Sequence, residues 1–262
     1  MRDKNGKFIK KYHFNEDFFT VKNKNFYYLL GLLSSDGNVK NDRVFSISQS
    51  GKKGKKLVEF ISKMLNSNYP IYEYEKTNSY SITMTSPKVV RILNEYNISP
   101  NKTLVFKLSD NIPYDMMKYF IQGYIDGDGS VGTYDNGRGV MSLTVSIVGT
   151  ELFIKQLYDI LKTKGNVRKI KKCNNLFEIR FYGKKSLDLY YEIYDDVVYK
   201  SYKYYNFINF IENDSLGMKY KKYYHIKDEI ISKINNGVKI PQLSKEYQIP
   251  IKTLYTWKYR TS

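Results

Sequence analysis

Two segments of this chain end in the same way. Residues 26–37 read FYYLLGLLSSDG and residues 118–129 read KYFIQGYIDGDG, so Gly31 aligns with Gly123 and Asp36 with Asp128, at an offset of 92 residues. Each is an apolar run of helical length with a glycine inside it, stopped by Asp-Gly. Glycine beyond a last helical turn takes the left-handed conformation without steric cost, which makes Asp-Gly a good helix stop. Gly31 and Ser35, like Gly123 and Gly127, are four apart and share a helix face. Small residues on a face let a partner helix approach closer than the usual ~8–10 Å. Packed through those faces, the two helices would bring Asp36 and Asp128 out side by side. A helix C-terminus carries roughly half a negative charge, so two such ends and two carboxylates concentrate negative charge in a chain of net charge +17. A hard divalent cation held by carboxylates and backbone carbonyls relieves that repulsion. A two-fold site built by one chain suits a substrate that is itself two-stranded.

The repetition continues past the motif. After Asp36 come VFSISQS (44–50), KKLVEFISKML (55–65), YPIYEYE, SYSITMTS and PKVVRILNEY (87–96). After Asp128 come LTVSIVGT (143–150), ELFIKQLYDIL (151–161), NVRKIKK, LFEIRFYG and KSLDLYYEIY (185–194). Alternating runs read as strands and 3.6-residue spacing as helices, so each half reads αββαββα. TYDNGRG supplies turn residues for a longer first hairpin in the second half. Alternation sends Phe45, Ile47, Tyr80, Ile82 and Met84 to one face. Val44, Ser46, Ser48, Ser79, Ser81 and Thr83 go to the other. In the second half, Leu143, Val145, Ile147, Phe177, Ile179 and Phe181 oppose Ser142, Thr144, Ser146, Glu178 and Arg180. One face packs under helices and the other is polar and partly basic.

These features together resemble the LAGLIDADG homing endonucleases in their single-chain, two-repeat form, over roughly residues 20–212. IQGYIDGDG is close to the family consensus, whereas LLGLLSSDG has Ser34 in place of the earlier acid and Ser35 in place of the small alanine or glycine. The final acid is kept in both. The resemblance implies an α+β fold in which two pseudo-symmetric αββαββα repeats form a β-saddle over double-stranded DNA. It also implies a monomeric, Mg²⁺-dependent endodeoxyribonuclease, with Mn²⁺ as a substitute. Asp36 and Asp128 would hold metal together with the carbonyls of Ser35 and Gly127. A lysine is expected near each site. Lys102 fits the first; Lys203, rather than Lys200, is the choice for the second. Gln49 matches a polar position that organises water in relatives, and Gly149 is its counterpart. The saddle face makes Lys40, Val44, Ser46, Ser48, Ser81 and Thr83 candidate DNA contacts, with Arg138, Ser142, Thr144, Ser146, Arg168 and Arg180 from the second repeat. The same scaffold also serves non-catalytic nucleic-acid binders, such as intron splicing cofactors and transcription regulators.

Bulk composition fits this picture. With 43 Lys+Arg against 26 Asp+Glu, a polyanionic partner is expected, and 42% hydrophobic residues support a real core. Cys173 is the lone cysteine, which leaves no disulfide framework and no cysteine-built zinc site. His13 and His225 are the only histidines and lie far apart, against His-based nuclease chemistry and a Ser-His-Asp triad. No apolar run reaches the ~18 residues of a membrane span, and the start lacks a secretory pattern, so a soluble, intracellular protein is expected. The 27 tyrosines carry no individual assignment.

The expected organisation is an N-terminal extension (1–24), repeats over 25–112 and 113–212, a linker (213–221) and a helical tail (222–262). In the tail Ile226, Ile230, Ile231 and Ile234 make one apolar stripe, ended by Asn236-Gly237, and Ile240, Leu243 and Tyr247 make a second. Pro250 opens a third helix with Ile251, Leu254 and Trp257 inward. This is similar to a helix-turn-helix of the resolvase and transposase kind. It would put Lys252, Thr253, Thr256, Lys258, Tyr259 and Arg260 toward DNA. The plainer alternative is a packed helical cap.

Overall fold

The computed structural model describes residues 11–102, 105–135, 141–171, 175–213 and 226–260. The expected αββαββα order appears twice. The first repeat runs α1 (Lys24–Ser35), β1 (Gly37–Lys40), β2 (Val44–Ser50), α2 (Gly51–Met64), β3 (Ile71–Tyr74), β4 (Ser79–Thr85) and α3 (Pro87–Glu95). The second runs α4 (Met117–Asp128), β5 (Ser130–Asp135), β6 (Met141–Thr150), α5 (Glu151–Ile160), β7 (Asn166–Lys169), β8 (Leu176–Tyr182) and α6 (Lys184–Ile193). α7 (Tyr202–Asn213) follows, and then α8 (Lys227–Asn235), α9 (Ile240–Glu246) and α10 (Ile251–Arg260). The sheets are four-stranded, antiparallel and identical in order, β1-β2-β4-β3 and β5-β6-β8-β7. Among the described residues no helix is long and apolar enough to cross a membrane.

Local signals place the helices. The Asn23 side chain caps α1 by accepting from the Asn25 and Phe26 N–H groups. Ser86 and Thr150 cap α3 and α5 in the same way, with Pro87 opening α3 where its missing N–H costs nothing. α2 is amphipathic and lays Leu57, Val58 and Ile61 onto its sheet. α1 and α4 are different. Every residue from Phe26 to Ser34 is buried, and so is every residue from Tyr119 to Asp126. A helix apolar on all sides is one enclosed on all sides, and these two pack on each other at the centre of the repeats.

The alternation holds on the apolar side: Phe45, Ile47, Ile82, Met84, Leu143, Val145, Ile147, Ile179 and Phe181 are all fully buried. Three expected open-face residues, Ser81, Ser146 and Glu178, are not open. Ser81 and Ser146 are 5% and 8% exposed, and Ser81 accepts a 2.9 Å bond from the Ser48 hydroxyl. Glu178, on the same side, is covered by its own arginine partners.

The chain divides into two compact units, Met1–Tyr205 and Asn206–Ser262, the division falling inside α7. The linker expected over 213–221 lies, after Asn213, outside the described residues, as do Arg138, Cys173 and His225. The second unit has its own core of Ile230, Ile234, Ile240, Leu243, Ile249, Leu254 and Trp257. Gly237 closes α8 at φ 86°, in the left-handed region expected of Asn-Gly. One tail expectation is corrected. Ile251 is 45% exposed and Ile249 takes the inward position. The chain turns at Ile249-Pro250 and a new helix starts after it, which resets the phase of the apolar stripe.

Candidate active site

The glycines do what the motif asks of them, with one difference in mechanism. A methyl group on Gly31 would run into the Phe120 carbonyl and lie 2.9 Å from the Tyr124 nitrogen. One on Gly123 would run into the Tyr28 carbonyl and lie 2.9 Å from the Leu32 nitrogen. α1 and α4 therefore touch backbone to backbone, reciprocally, at two matched points. At the end of the contact a methyl on Gly127 would strike the Ser35 hydroxyl and sit 2.8 Å from Asp36 Oδ2. The glycines after the two acids do not adopt the left-handed conformation: Gly129 has φ −75° and ψ 157°, and Gly37 already belongs to β1. They are required for space. A side chain there would press on the preceding turn, 2.7 Å from Leu33 Cα or 2.6 Å from Ile125 Cα.

The close approach delivers Asp36 and Asp128 to one place. The Asp36 N–H bonds the Leu32 carbonyl at 3.0 Å, and the Gly129 N–H bonds the Ile125 carbonyl at 3.0 Å. Gln49, at the end of β2, donates from Nε2 to Asp36 Oδ2 at 2.5 Å. Burial, and then the charge of Asp128, push the Asp36 carboxyl up to about 6 despite Gln49 and the two lysines. Asp128 is also raised, by burial against the pull of Lys102 and Lys203.

Both lysines are buried at helix ends. Lys102 Nζ donates to the Ser35 carbonyl at 3.1 Å. Lys203 Nζ donates to Ile125, Asp126 and Gly127 carbonyls at 2.7, 3.0 and 2.6 Å. Positive charge at the negative end of a helix is favourable. Burial holds both ammonium groups below the usual lysine value, with nearby aspartates resisting. Lys200 makes none of these contacts among the described hydrogen bonds.

Sequence reasoning assigned no role to the next residue inward. Asp126, 3% exposed, accepts a 2.6 Å bond from the Tyr28 hydroxyl and another from the Ser201 hydroxyl. Burial pushes its carboxyl up to about 6 against those two bonds and Lys203. Its counterpart Ser34 is buried with no hydrogen-bond partner for its hydroxyl among the described residues. The signal was present in the SYK triplet, where Ser201 precedes Lys203 by two.

Lys40, Ser48 and Thr83 are exposed, and Val44, Ser46, Ser142 and Thr144 are half-buried on the open sheet faces, Thr144 donating to the Phe181 carbonyl at 3.2 Å. Arg168 and Arg180 both bond Glu178. On α10 Lys252, Tyr255 and Tyr259 are exposed, while Thr253 and Thr256 are half-buried. The Thr256 hydroxyl is turned back to the Lys252 carbonyl at 2.8 Å. The Arg260 side chain lies outside the described residues.

Among the described residues no group of three or more His, Cys, Asp or Glu side chains is placed to hold a metal. The available donor set is two carboxylates and the carbonyls of Ser35 and Gly127. Each carbonyl oxygen has a second lone pair beyond the one its lysine uses. That set suits Mg²⁺, which binds one or two carboxylates, keeps several waters and takes further oxygens from a phosphate substrate.

Two paired helices ending in acids above two four-stranded saddles define a two-repeat LAGLIDADG fold. Residues 115–194 match the family model of the LAGLIDADG-like domain, so the resemblance read from the doubled motif holds, in sequence for the second repeat and in fold for both. Solved structures with the same fold include I-LtrWI, a LAGLIDADG homing endonuclease bound to target DNA. It has 15% identity and a TM-score of 0.53, over 77% of this chain and 93% of that one. I-AabMI bound to uncleaved DNA has 13% identity and a TM-score of 0.52, over 83% and 99%. I-SmaMI, bound to uncleaved DNA target in the presence of calcium ions, has 11% identity and a TM-score of 0.52, over 78% and 94%. No curated protein matches the chain in sequence.

Proposed function

We propose that this chain is a divalent-metal-dependent, site-specific double-strand DNA endonuclease that hydrolyses one phosphodiester on each strand of a long asymmetric target. The observation that carries the reading is the pairing of Asp36 and Asp128 at the adjoining ends of α1 and α4, each beside a carbonyl attended by a buried lysine. Two acids both raised by burial, Asp36 further by the charge of Asp128, are well suited to a shared cationic ligand.

Asp36 and Asp128, with the carbonyls of Ser35 and Gly127, would hold Mg²⁺. The ion would lower the pKa of a water and stabilise charge on the leaving oxygen. The rest falls to the chain's own side chains. Gln49 holds one oxygen of Asp36 and, among the described residues, leaves the other without a hydrogen bond. Lys102 and Lys203 place positive charge where phosphate negative charge accumulates. The open sheet faces supply hydroxyl and guanidinium donors to DNA backbone and bases, and a net charge of +17 draws the polyanion in. The α8–α10 unit is a second DNA contact through Lys252, Tyr255 and Lys258. In keeping with this reading, the I-SmaMI structure pairs calcium with uncleaved target.

The competing reading is a nucleic-acid binder that does not cut, such as a splicing cofactor. Retention of both acids favours the nuclease. A plasmid carrying a target selected from a random library decides between them. Cutting with Mg²⁺ or Mn²⁺ is expected, and binding without cutting in Ca²⁺. Asp36→Asn and Asp128→Asn should each lower cutting more than about a hundred-fold, since even residues that only support metal ligands are worth 10–100-fold. Binding should persist, because each change removes negative charge facing the phosphates. Double-strand cutting in EDTA, or wild-type cutting by either variant, refutes the proposal.

A further inference from the structure

The second saddle carries an acid where a DNA-facing surface would be expected to exclude one. Glu178 stands on the open face of β8, in register with Val148 of β6 and Arg168 of β7, yet only 3% of it is exposed. Two guanidinium groups cover it. Arg168 donates from Nε to Oε2 at 2.5 Å. Arg180 donates from Nε and Nη2 to Oε1 at 3.0 and 2.5 Å. Both carboxylate oxygens accept from arginine, and with 3% of it exposed Glu178 presents almost no surface to a base.

The consequence falls on the arginines. Among the described residues Arg168 bonds through Nε alone, which leaves both terminal nitrogens unspent on a side chain 61% exposed. Arg180, 32% exposed, is engaged by the Tyr182 side chain as well as by Glu178. A planar fork pairs bidentately with phosphate as well as with a base, but only a base contact leaves a sequence preference. A guanidinium held by its inner nitrogen, with the outer fork presented, has the geometry that pairs with O6 and N7 of guanine in the major groove. Fixing it in advance also removes the entropic penalty of ordering a long side chain on binding.

The first repeat has no equivalent. Its matching row is Ser48, Ser81 and Tyr72, two hydroxyls and an exposed aromatic. On the reading above, that the saddles lie on DNA, we infer that Arg168, oriented by Glu178 and flanked by Arg180, reads a guanine, and that this requirement is confined to the half-site under the second repeat. Glu178 is a positioning residue that touches no base.

The test is enrichment of bound duplexes from a fully randomised library in Ca²⁺, by the full-length wild type and by Arg168→Ala, Arg168→Lys and Glu178→Gln. The wild-type pool should carry guanine at one position of one half-site, by roughly ten-fold over the other bases. Both Arg168 variants should lose that preference and keep those at other positions, Lys because it retains the charge but not the fork. Glu178→Gln should reduce it to a few-fold. The Arg168 variants alter an exposed side chain, so they remain informative if Glu178→Gln folds badly. A consensus without such a guanine, or one that Arg168→Lys or Arg168→Ala preserves, overturns the inference while leaving site-specific binding intact. A wild-type pool with no consensus at all overturns the site-specific reading itself.

Discussion

The two acid-bearing helix ends are built on the same backbone plan and finished differently. At the first, Gln49 reaches Asp36, and Gly54 leaves the room for it: a side chain on Gly54 would lie 2.7 Å from Gln49 Cβ. At the second the exchange is reversed. Gly149 stands in Gln49's place because a side chain there would lie 2.5 Å from the Phe153 ring and 3.1 Å from the Tyr124 hydroxyl. The lysines diverge too. An ammonium has three donors; Lys203 uses them on three carbonyls, while Lys102 has one such bond among the described residues. One level deeper, Asp126 is bonded by Tyr28 and Ser201, where Ser34 has no partner among the described residues. The second end is thus held by more buried polar bonds than the first, where, among the described residues, one lysine bond and the Gln49 amide do the holding. Symmetry of the backbone does not impose symmetry of the chemistry.

The largest test of that contrast is to remove each lysine. Lys203→Met strips three buried carbonyls and Asp126 of their cation, and should cost about 4 kcal/mol, in line with breaking a buried charged pair. Lys102→Met should cost about 1 kcal/mol, the worth of one hydrogen bond. Urea denaturation of both variants measures the gap, and equal losses would dissolve the distinction. Next in size is the inner position. Asp126→Ala orphans two buried hydroxyls and should cost about 3 kcal/mol, whereas Ser34→Ala removes an unpaired polar atom and should be neutral or stabilising by up to about 1 kcal/mol. Thermal melts of the pair would break the comparison if both destabilise alike.

The smallest effect is on pH. Asp36 and Asp126 are raised from 3.8 to about 6, so the folded state binds their protons more tightly than the unfolded chain does. Stability from this source is full below pH 4 and is lost as pH rises through about 6. In EDTA, stability should fall across that window, with Asp36 accounting for about 2 kcal/mol after allowance for its partial exposure. Glu178 and Asp196 are shifted downward and act at lower pH, losing their contribution as pH falls. Asp36→Asn should flatten the slope, and so should saturating Mg²⁺, whose binding requires the ionised acid. A slope unchanged in Asp36→Asn would show that the carboxyl titrates normally.

Much of this architecture was legible in the residue order, because its signals are local. Helix faces repeat every 3.6 residues and strand faces every two, so the repeats, the paired small residues of α1 and α4, and the ends carrying Asp36 and Asp128 could be read directly. The tail's three helices were readable as well, though the turn at Ile249-Pro250 shifted the phase and turned Ile251 outward. What the residue order left open depends on partners far away along the chain. Nothing near Glu178 indicates that Arg168 and Arg180 close over it, since that needs β7 and β8 in register. Asp126 meets Tyr28 across 98 residues and Ser201 across 75. Gly37 and Gly129 were expected to serve by backbone conformation and instead serve by leaving space, which only packing decides. Periodicity assigns a residue to a face; which atoms meet it there, and so whether a buried charge is paired and a guanidinium is aimed, is set by the close packing of elements distant in sequence.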